Sequence, residues 1–475
     1  MERGERRRLT RRQVLTGIAG TGVGAVGAAA LAGVFLGRDR ATANPLLVEN
    51  QTLPITSNLW ANQGQPAFLH VRRFLAPGPV PPPDREQVVM VAGRTSPALV
   101  SFDLQSDKPG PPYSWARVLA EAGFDVWVMD FQGMGLSSRP DVMNDKCNVL
   151  RGQQPVLGVN CPPSYAGPLG NSHSDWQELH TVVEHVRFQT AKPNQLQQKR
   201  VILVGYSAGA FAVGPYAIHQ PGKVKGILLL APIFPPQGRS RHPQIATETL
   251  YPLKPVPAPT TPEAFFGAPM GIGTKNPVIV DGRWIPGTGL ALKSDCGGDP
   301  SVVDDIWRAM RENDPEGAKW SSALAPEGVY RHRGFPLWWG WNDAVAANGG
   351  RSFLPEVPPV LGHDTPVCVI DGEDDGVANF TGDTGGQGEF RVRALYDAIS
   401  GPRKLYYKVA CAGHLLMWEG RRDRLHQLSV EWLRGFTAGG LPGQTGAFYV
   451  PLAGPPQPMG IESRPRPRVP LPPGR

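Results

Sequence analysis

Residues 200–219 read Arg200-Val-Ile-Leu-Val-Gly205-Tyr206-Ser207-Ala208-Gly209, then Ala-Phe-Ala-Val-Gly-Pro-Tyr-Ala-Ile-His219. Arg200 to Tyr206 is a short apolar run that suits a strand buried on both faces, and from Ala208 to His219 the pattern turns helical. Between them Gly-x-Ser-x-Gly makes a turn so sharp that its central residue is strained and its neighbours must be small or glycine. Such a turn lifts Ser207 Oγ above the sheet. It also aims the free N–H groups of the following helix at negative charge developing there. The pentapeptide alone occurs by chance; the strand before it and the helix after it give it meaning. The plain alternative is a Gly-rich turn that closes a strand–helix unit and does no chemistry.

The same grammar recurs on either side. Gln87-Val-Val-Met-Val-Ala92 is an apolar run followed by a polar turn, Gly93-Arg94-Thr95-Ser96. Tyr113 to Ala122 then reads as a helix, with Trp115, Val118 and Leu119 at helical spacing. Phe124 to Asp130 is a further strand, and Asp175 to Gln189 an amphipathic helix capped by Ser174 or Asp175. Val224 to Ala231, Pro366 to Asp371 and Lys404 to Val409 are strands, and Arg422 to Phe436 is a closing helix. Alternation of this kind predicts an α/β fold, a mostly parallel doubly wound sheet with helices on both faces.

From Pro232 to the strand at Pro366 the alternation stops. The stretch is rich in Pro and Gly and holds six of the twelve Trp, including Trp338-Trp339-Gly340-Trp341. It reads as a large inserted cap over residues 237–365. Trp338, Trp339, Trp341 and Tyr206 are candidates for an apolar substrate pocket above Ser207; alternatively the Trp residues are the cap's own small core. The organisation is therefore a core in two parts (44–236 and 366–440) with the cap between them. Residues 441–475 are a Pro/Gly-rich tail, expected to be without structure from about 452.

Residues 1–43 are an address. Thr10-Arg11-Arg12-Gln13-Val14-Leu15 resembles a twin-arginine export signal, a Gly/Ala-rich apolar run follows, and Ala41-Thr42-Ala43 suits cleavage before Asn44. That predicts a secreted or periplasmic protein with no membrane span once cleaved. An uncleaved anchor is the alternative reading of the apolar run. The segment also explains the formal charge of +7, since it carries eight Arg against Glu2, Glu5 and Asp39. The remainder is nearly neutral, which argues against a nucleic-acid partner. Export makes disulfides possible. Cys147 and Cys161 share one Pro/Gly/Asn-rich loop and are expected to pair, restricting the unfolded chain by roughly 3 kcal/mol. Cys368 and Cys411 are expected as buried free thiols, and Cys296 has no evident partner.

A serine hydroxyl needs a base in reach. Of ten histidines, His414 follows a strand directly, in the turn Cys411-Ala412-Gly413-His414. His363 precedes a strand, at the opposite edge, while His173, His180, His185 and His219 fall on or beside helices. A carboxylate must orient the imidazole, and Asp371-Gly372-Glu373-Asp374-Asp375-Gly376 follows the preceding strand. That loop half-imitates a calcium-binding hand, but its twelfth position is Gly382 rather than Glu, so no metal is expected.

Over roughly residues 67–236 and 366–437 the sequence resembles the α/β-hydrolase superfamily, in the chain order nucleophile, acid, histidine. The resemblance implies that the acid stands three residues after the glycine ending its strand, hence Asp375, with Asp374 in reserve. It implies a structural role for Asp130. It also implies an oxyanion hole built from the N–H of Ala208 and one from the turn after Val91, at Arg94 or Thr95. The usual His-Gly of that turn is here Ala92-Gly93. The implied activity is hydrolysis of a small-molecule or lipid-like carboxylic ester, without a cofactor. Amidases, peptidases and acyl transferases use the same triad, and a non-catalytic binding protein on the same scaffold is the reading from another class.

Overall fold

Strands β1 (Leu47–Thr56), β2 (Pro66–Leu75), β3 (Gln87–Val91), β4 (Asp125–Met129), β5 (Val201–Tyr206) and β6 (Val224–Leu230) come first along the chain. Four short strands lie within the insertion: β7 (Met270–Gly273), β8 (Val278–Val280), β9 (Arg283–Ile285) and β10 (Tyr330–Arg333). β11 (Val367–Gly372), β12 (Lys404–Val409), β13 (Gly446–Val450) and β14 (Gln457–Pro458) follow. This computed structural model describes residues 45–234, 269–334, 360–380, 390–437 and 446–459, apart from gaps at 166, 171, 193–198, 281–282, 286, 289–291 and 294. Residues 1–43, expected from the sequence to be an export signal, and Trp338, Trp339 and Trp341 lie outside the described residues.

Among the described residues ten strands share one sheet, in the order β1-β2-β4-β3-β5-β6-β11-β12-β13-β14. From β4 to β13 every pairing is parallel. β3, β4, β5 and β11 are buried along their whole length, which is why they read as unbroken apolar runs rather than alternations. Helix Ser172–Thr190 packs against Ala210–His219, and Trp115–Glu121 against Arg422–Gly435. Ser114 caps one of these, its Oγ accepting the Arg117 N–H at 3.2 Å.

Three features depart from the sequence reading. β1 and β2 form an antiparallel hairpin at one edge; β1, half exposed and with its apolar residues interrupted by Glu49-Asn50-Gln51-Thr52, gave no apolar run to find. At the other edge the tail is partly structured. β13 adds in parallel to β12, and residues 451–459 continue through β14. Backbone pairing on an open sheet edge needs no apolar periodicity. The helix expected to begin at Ser174 or Asp175 begins at Ser172 instead, so Asp175 lies in its first turn with its side chain engaged elsewhere.

Cys147 and Cys161 are disulfide-bonded, their Cα atoms 5.5 Å apart. Cys411 is not a free thiol: it is bonded to Cys296, Cα to Cα 6.0 Å, because the fold brings two loops together across a separation of 115 residues. Cys368 is buried and free within β11. The described part of the insertion packs in two places. Val302, Ile306, Trp307 and Met310 of helix Val302–Glu312 join the main core. Met270, Ile272, Trp320 and Val329 make a second apolar cluster with Met143, Val149, Val156 and Leu169. No helix among the described residues is long and apolar enough to cross a membrane.

Candidate active site

β5 ends at Tyr206, and the chain reverses through the 3-10 turn Ser207–Gly209 into helix Ala210–His219. Ser207 has φ of 52°, the left-handed region that costs an L-residue roughly 1–2 kcal/mol. Sterics around the turn select its residues. A Cβ on Gly205 would lie 2.5 Å from Val213 Cγ2, and one on Gly209 would lie 2.6 Å from the Val91 carbonyl oxygen. The second collision is with backbone and has nowhere to go. The turn after β3 also meets this serine, since a Cβ on Gly93 would stand 3.0 Å from Ser207 Cβ.

His414 lies in the loop after β12, with Nε2 2.9 Å from Ser207 Oγ. Its Nδ1 faces Asp375, at 2.9 Å from Oδ2 and 3.1 Å from Oδ1. Asp375 lies in the loop after β11, where Oδ1 also accepts the N–H groups of Val377 and Ala378, each at 2.9 Å. All three side chains are buried. The acid and histidine loops touch through backbone: a Cβ on Gly372 would lie 2.4 Å from the Ala412 carbonyl oxygen. Asp374 points elsewhere, to Lys293 Nζ at 3.4 Å. A serine O–H placed this way can pass its proton to Nε2, and the resulting imidazolium is held by the carboxylate.

Of the expected oxyanion residues, Ala208 follows Ser207 in the chain, and Arg94 and Thr95 follow Gly93, which lies beside Ser207. The Ala208 N–H opens the 3-10 turn, where the first N–H groups have no partner within the helix. Arg94 follows Gly93 directly and is buried, whereas Thr95 is exposed. Tyr206 is buried with its ring on that of His414, centroids 5.3 Å apart. Burial and then the Asp375 charge push its phenol well above the ordinary range. For a metal, one cluster of ligand-type side chains stands out among the described residues, Asp295 with Cys296 and Cys411, and its two sulfurs are bonded to each other.

A family model described as the alpha/beta hydrolase fold matches residues 105–421. The chain belongs to the α/β-hydrolase family. No curated protein matches it. A thermophilic esterase from Thermogutta terrifontis is a similar solved structure, 16% identical with a TM-score of 0.41, covering 81% of this chain and 99% of its own. A monoacylglycerol lipase from Paleococcus ferrophilus is 16% identical with a TM-score of 0.40, covering 78% and 99%.

In this α/β-hydrolase the loop after β4 is tied down by Asp130, whose Oδ1 accepts the Ala98 N–H at 2.7 Å. Two buried acidic groups near the site escaped the sequence reading. Glu178 belongs to a buried charge network that reaches the turn after β3: Arg94 bonds Asp175, Arg333 lies 3.0 Å from Asp175, and Arg333 lies 3.3 Å from Glu178. Burial pushes the Glu178 carboxyl up to about 7 against the pull of Arg333. Glu419 is fully buried five residues beyond His414, and burial raises its carboxyl to about 7 as well. Its signal was legible: an acid directly after the apolar run Leu415-Leu416-Met417-Trp418. The network had none, because its members come from three distant segments.

Proposed function

We propose that the chain is an exported serine hydrolase that cleaves carboxylic esters through an acyl-enzyme. One observation carries this reading: the unbroken line from Ser207 Oγ through His414 Nε2, at 2.9 Å, and from Nδ1 to Asp375 Oδ2, at 2.9 Å. Ser207 Oγ attacks the acyl carbon while His414 takes its proton. The carbonyl oxygen becomes an oxyanion that the N–H groups of Ala208 and Arg94 receive. Collapse expels the alcohol, which takes the proton back from His414. Water, activated by the same imidazole, then releases the acid and restores Ser207. The substrate is a small-molecule or lipid-like ester, and the chemistry requires no cofactor.

Export rests on the twin-arginine resemblance, and the two disulfides support it, since such bonds persist in oxidising compartments. The test uses the chain without residues 1–43. It should release nitrophenol from short acyl esters, and Ser207→Ala and His414→Ala should each lower kcat by something on the order of 10⁶. The double variant should lose no more than either alone, because nucleophile and base act as a unit. Absence of ester turnover, together with no labelling of Ser207 by a fluorophosphonate, would overturn the proposal.

A further inference from the structure

The loop that carries His414 needs bracing, and the structure provides it from an unexpected direction. Cys411, three residues before the histidine, has φ of 54°, so the loop starts on strained backbone. Three ties connect this loop to Lys293, Cys296 and Gly298 of the insertion. The first is covalent, the Cys296–Cys411 disulfide. The second is steric: a Cβ on Gly420 would lie 2.3 Å from the Cys296 carbonyl oxygen and 2.6 Å from the Gly298 nitrogen, so the two backbones are in direct contact.

The third is Glu419. Its Oε2 accepts the N–H of Gly413 at 2.6 Å, the residue immediately before His414, and its Oε1 accepts the N–H of Lys293 at 3.1 Å. One buried side chain therefore holds the backbone immediately before the histidine and fastens it to the insertion. A buried carboxyl group is costly unless its oxygens are hydrogen-bonded; here one oxygen holds the residue before the imidazole and the other holds the insertion.

Resting on the esterase reading above, we propose that Glu419 is a positioning residue, whose carboxylate, bridging Gly413 and Lys293, sets His414 in reach of Ser207. Lys293 and Cys296 of the insertion are thereby part of the catalytic scaffold, and the disulfide is its covalent fastening. Glu419→Gln keeps the size but offers one oxygen where two are used, and its amide NH₂ must face a backbone N–H. A misplaced imidazole slows proton transfer without touching the substrate, so the loss falls on kcat.

The experiment measures kcat and KM for nitrophenyl acetate at about pH 8, where the Glu419 carboxyl, raised to about 7, is mostly ionised, with active sites counted by fluorophosphonate titration so that unfolded protein is excluded. Glu419→Gln should lower kcat by about ten- to a hundredfold, the effect of one lost charge-assisted hydrogen bond, and leave KM within about twofold. The labelling rate of Ser207 should fall in the same proportion. Cys296→Ser, which cuts the covalent tie alone, should lower kcat by about three- to tenfold, and it decides the matter if the glutamine variant does not fold. Titrated kcat within about twofold of wild type in the variants that fold, even with a lower melting temperature, overturns the proposal and leaves the esterase reading intact. A wild-type chain that neither turns over the ester nor takes the label removes that reading, and this inference with it.

Discussion

Asp375→Asn exchanges one atom, and the bonds around that carboxyl determine the outcome. Oδ1 accepts two backbone N–H groups at 2.9 Å, from Val377 and Ala378, while Oδ2 faces His414 Nδ1 at 2.9 Å. An asparagine keeps its oxygen on the two backbone donors, since the reverse orientation would set NH₂ against both. Its nitrogen then takes the place of Oδ2 and donates toward Nδ1. Imidazole responds by carrying its proton on Nε2, the atom 2.9 Å from Ser207 Oγ, which can then no longer accept. A wrong tautomer of this kind costs about 10⁴ in kcat, equivalent to about 5 kcal/mol of transition-state stabilisation. Because the backbone bonds survive, the melting temperature should move by only a few degrees, roughly the effect of 1 kcal/mol. Asp374→Asn, which breaks only the surface pair with Lys293, should leave kcat within about twofold. The assay is ester turnover per titrated site at neutral pH. An Asp375→Asn enzyme retaining more than about a tenth of wild-type kcat, or a damaging Asp374→Asn, refutes the assignment of the acid and the tautomer argument.

Gly209→Ala should prevent native folding or cost several kcal/mol, because its Cβ would lie 2.6 Å from the Val91 carbonyl oxygen; yield and urea midpoint measure this. Arg333→Met leaves Asp175 and Glu178 without a buried partner that stands 3.0 and 3.3 Å away. Stability should fall by about 3–5 kcal/mol, read as a lower urea midpoint at constant slope. Cys147→Ser opens a loop whose ends are 14 residues apart, and the loss should be roughly 3 kcal/mol; a melting temperature equal to that of wild type under oxidising conditions would contradict it.

How much could be read from the sequence followed from burial and distance along the chain. β3, β4, β5 and β11 are covered on both faces, so each appears as an apolar run that no other element explains. Ser207 and His414 stand in turns directly after strands, where local residues dictate the geometry. Asp375 emerged by counting from Gly372 under a family resemblance. What stayed hidden depends on distant partners. β1 is half exposed and β13 is an added edge, so neither carries a decisive period. Cys296 and Cys411 are 115 residues apart, and nothing local to either announces the other. Glu178 and Arg333 are separated by 155 residues and meet only because β10 returns beside the loop after β4, the Arg333 N–H reaching the Gly133 carbonyl at 3.0 Å.

Five sulfurs and two bonds leave one thiol over, and where that thiol sits governs how the chain can be oxidised. Cys368 is enclosed in β11, between β6 and β12, and burial raises its thiol far above the ordinary range. Exchange requires the thiolate, so within the assembled sheet Cys368 neither attacks a disulfide nor is attacked. In an unassembled chain it is an ordinary reactive cysteine, competing with the other four. The order of events therefore selects the product: sheet before oxidant leaves four eligible partners, and oxidant before sheet leaves five. The central strand acts as a protecting group on its own sulfur, installed by folding and removed by unfolding.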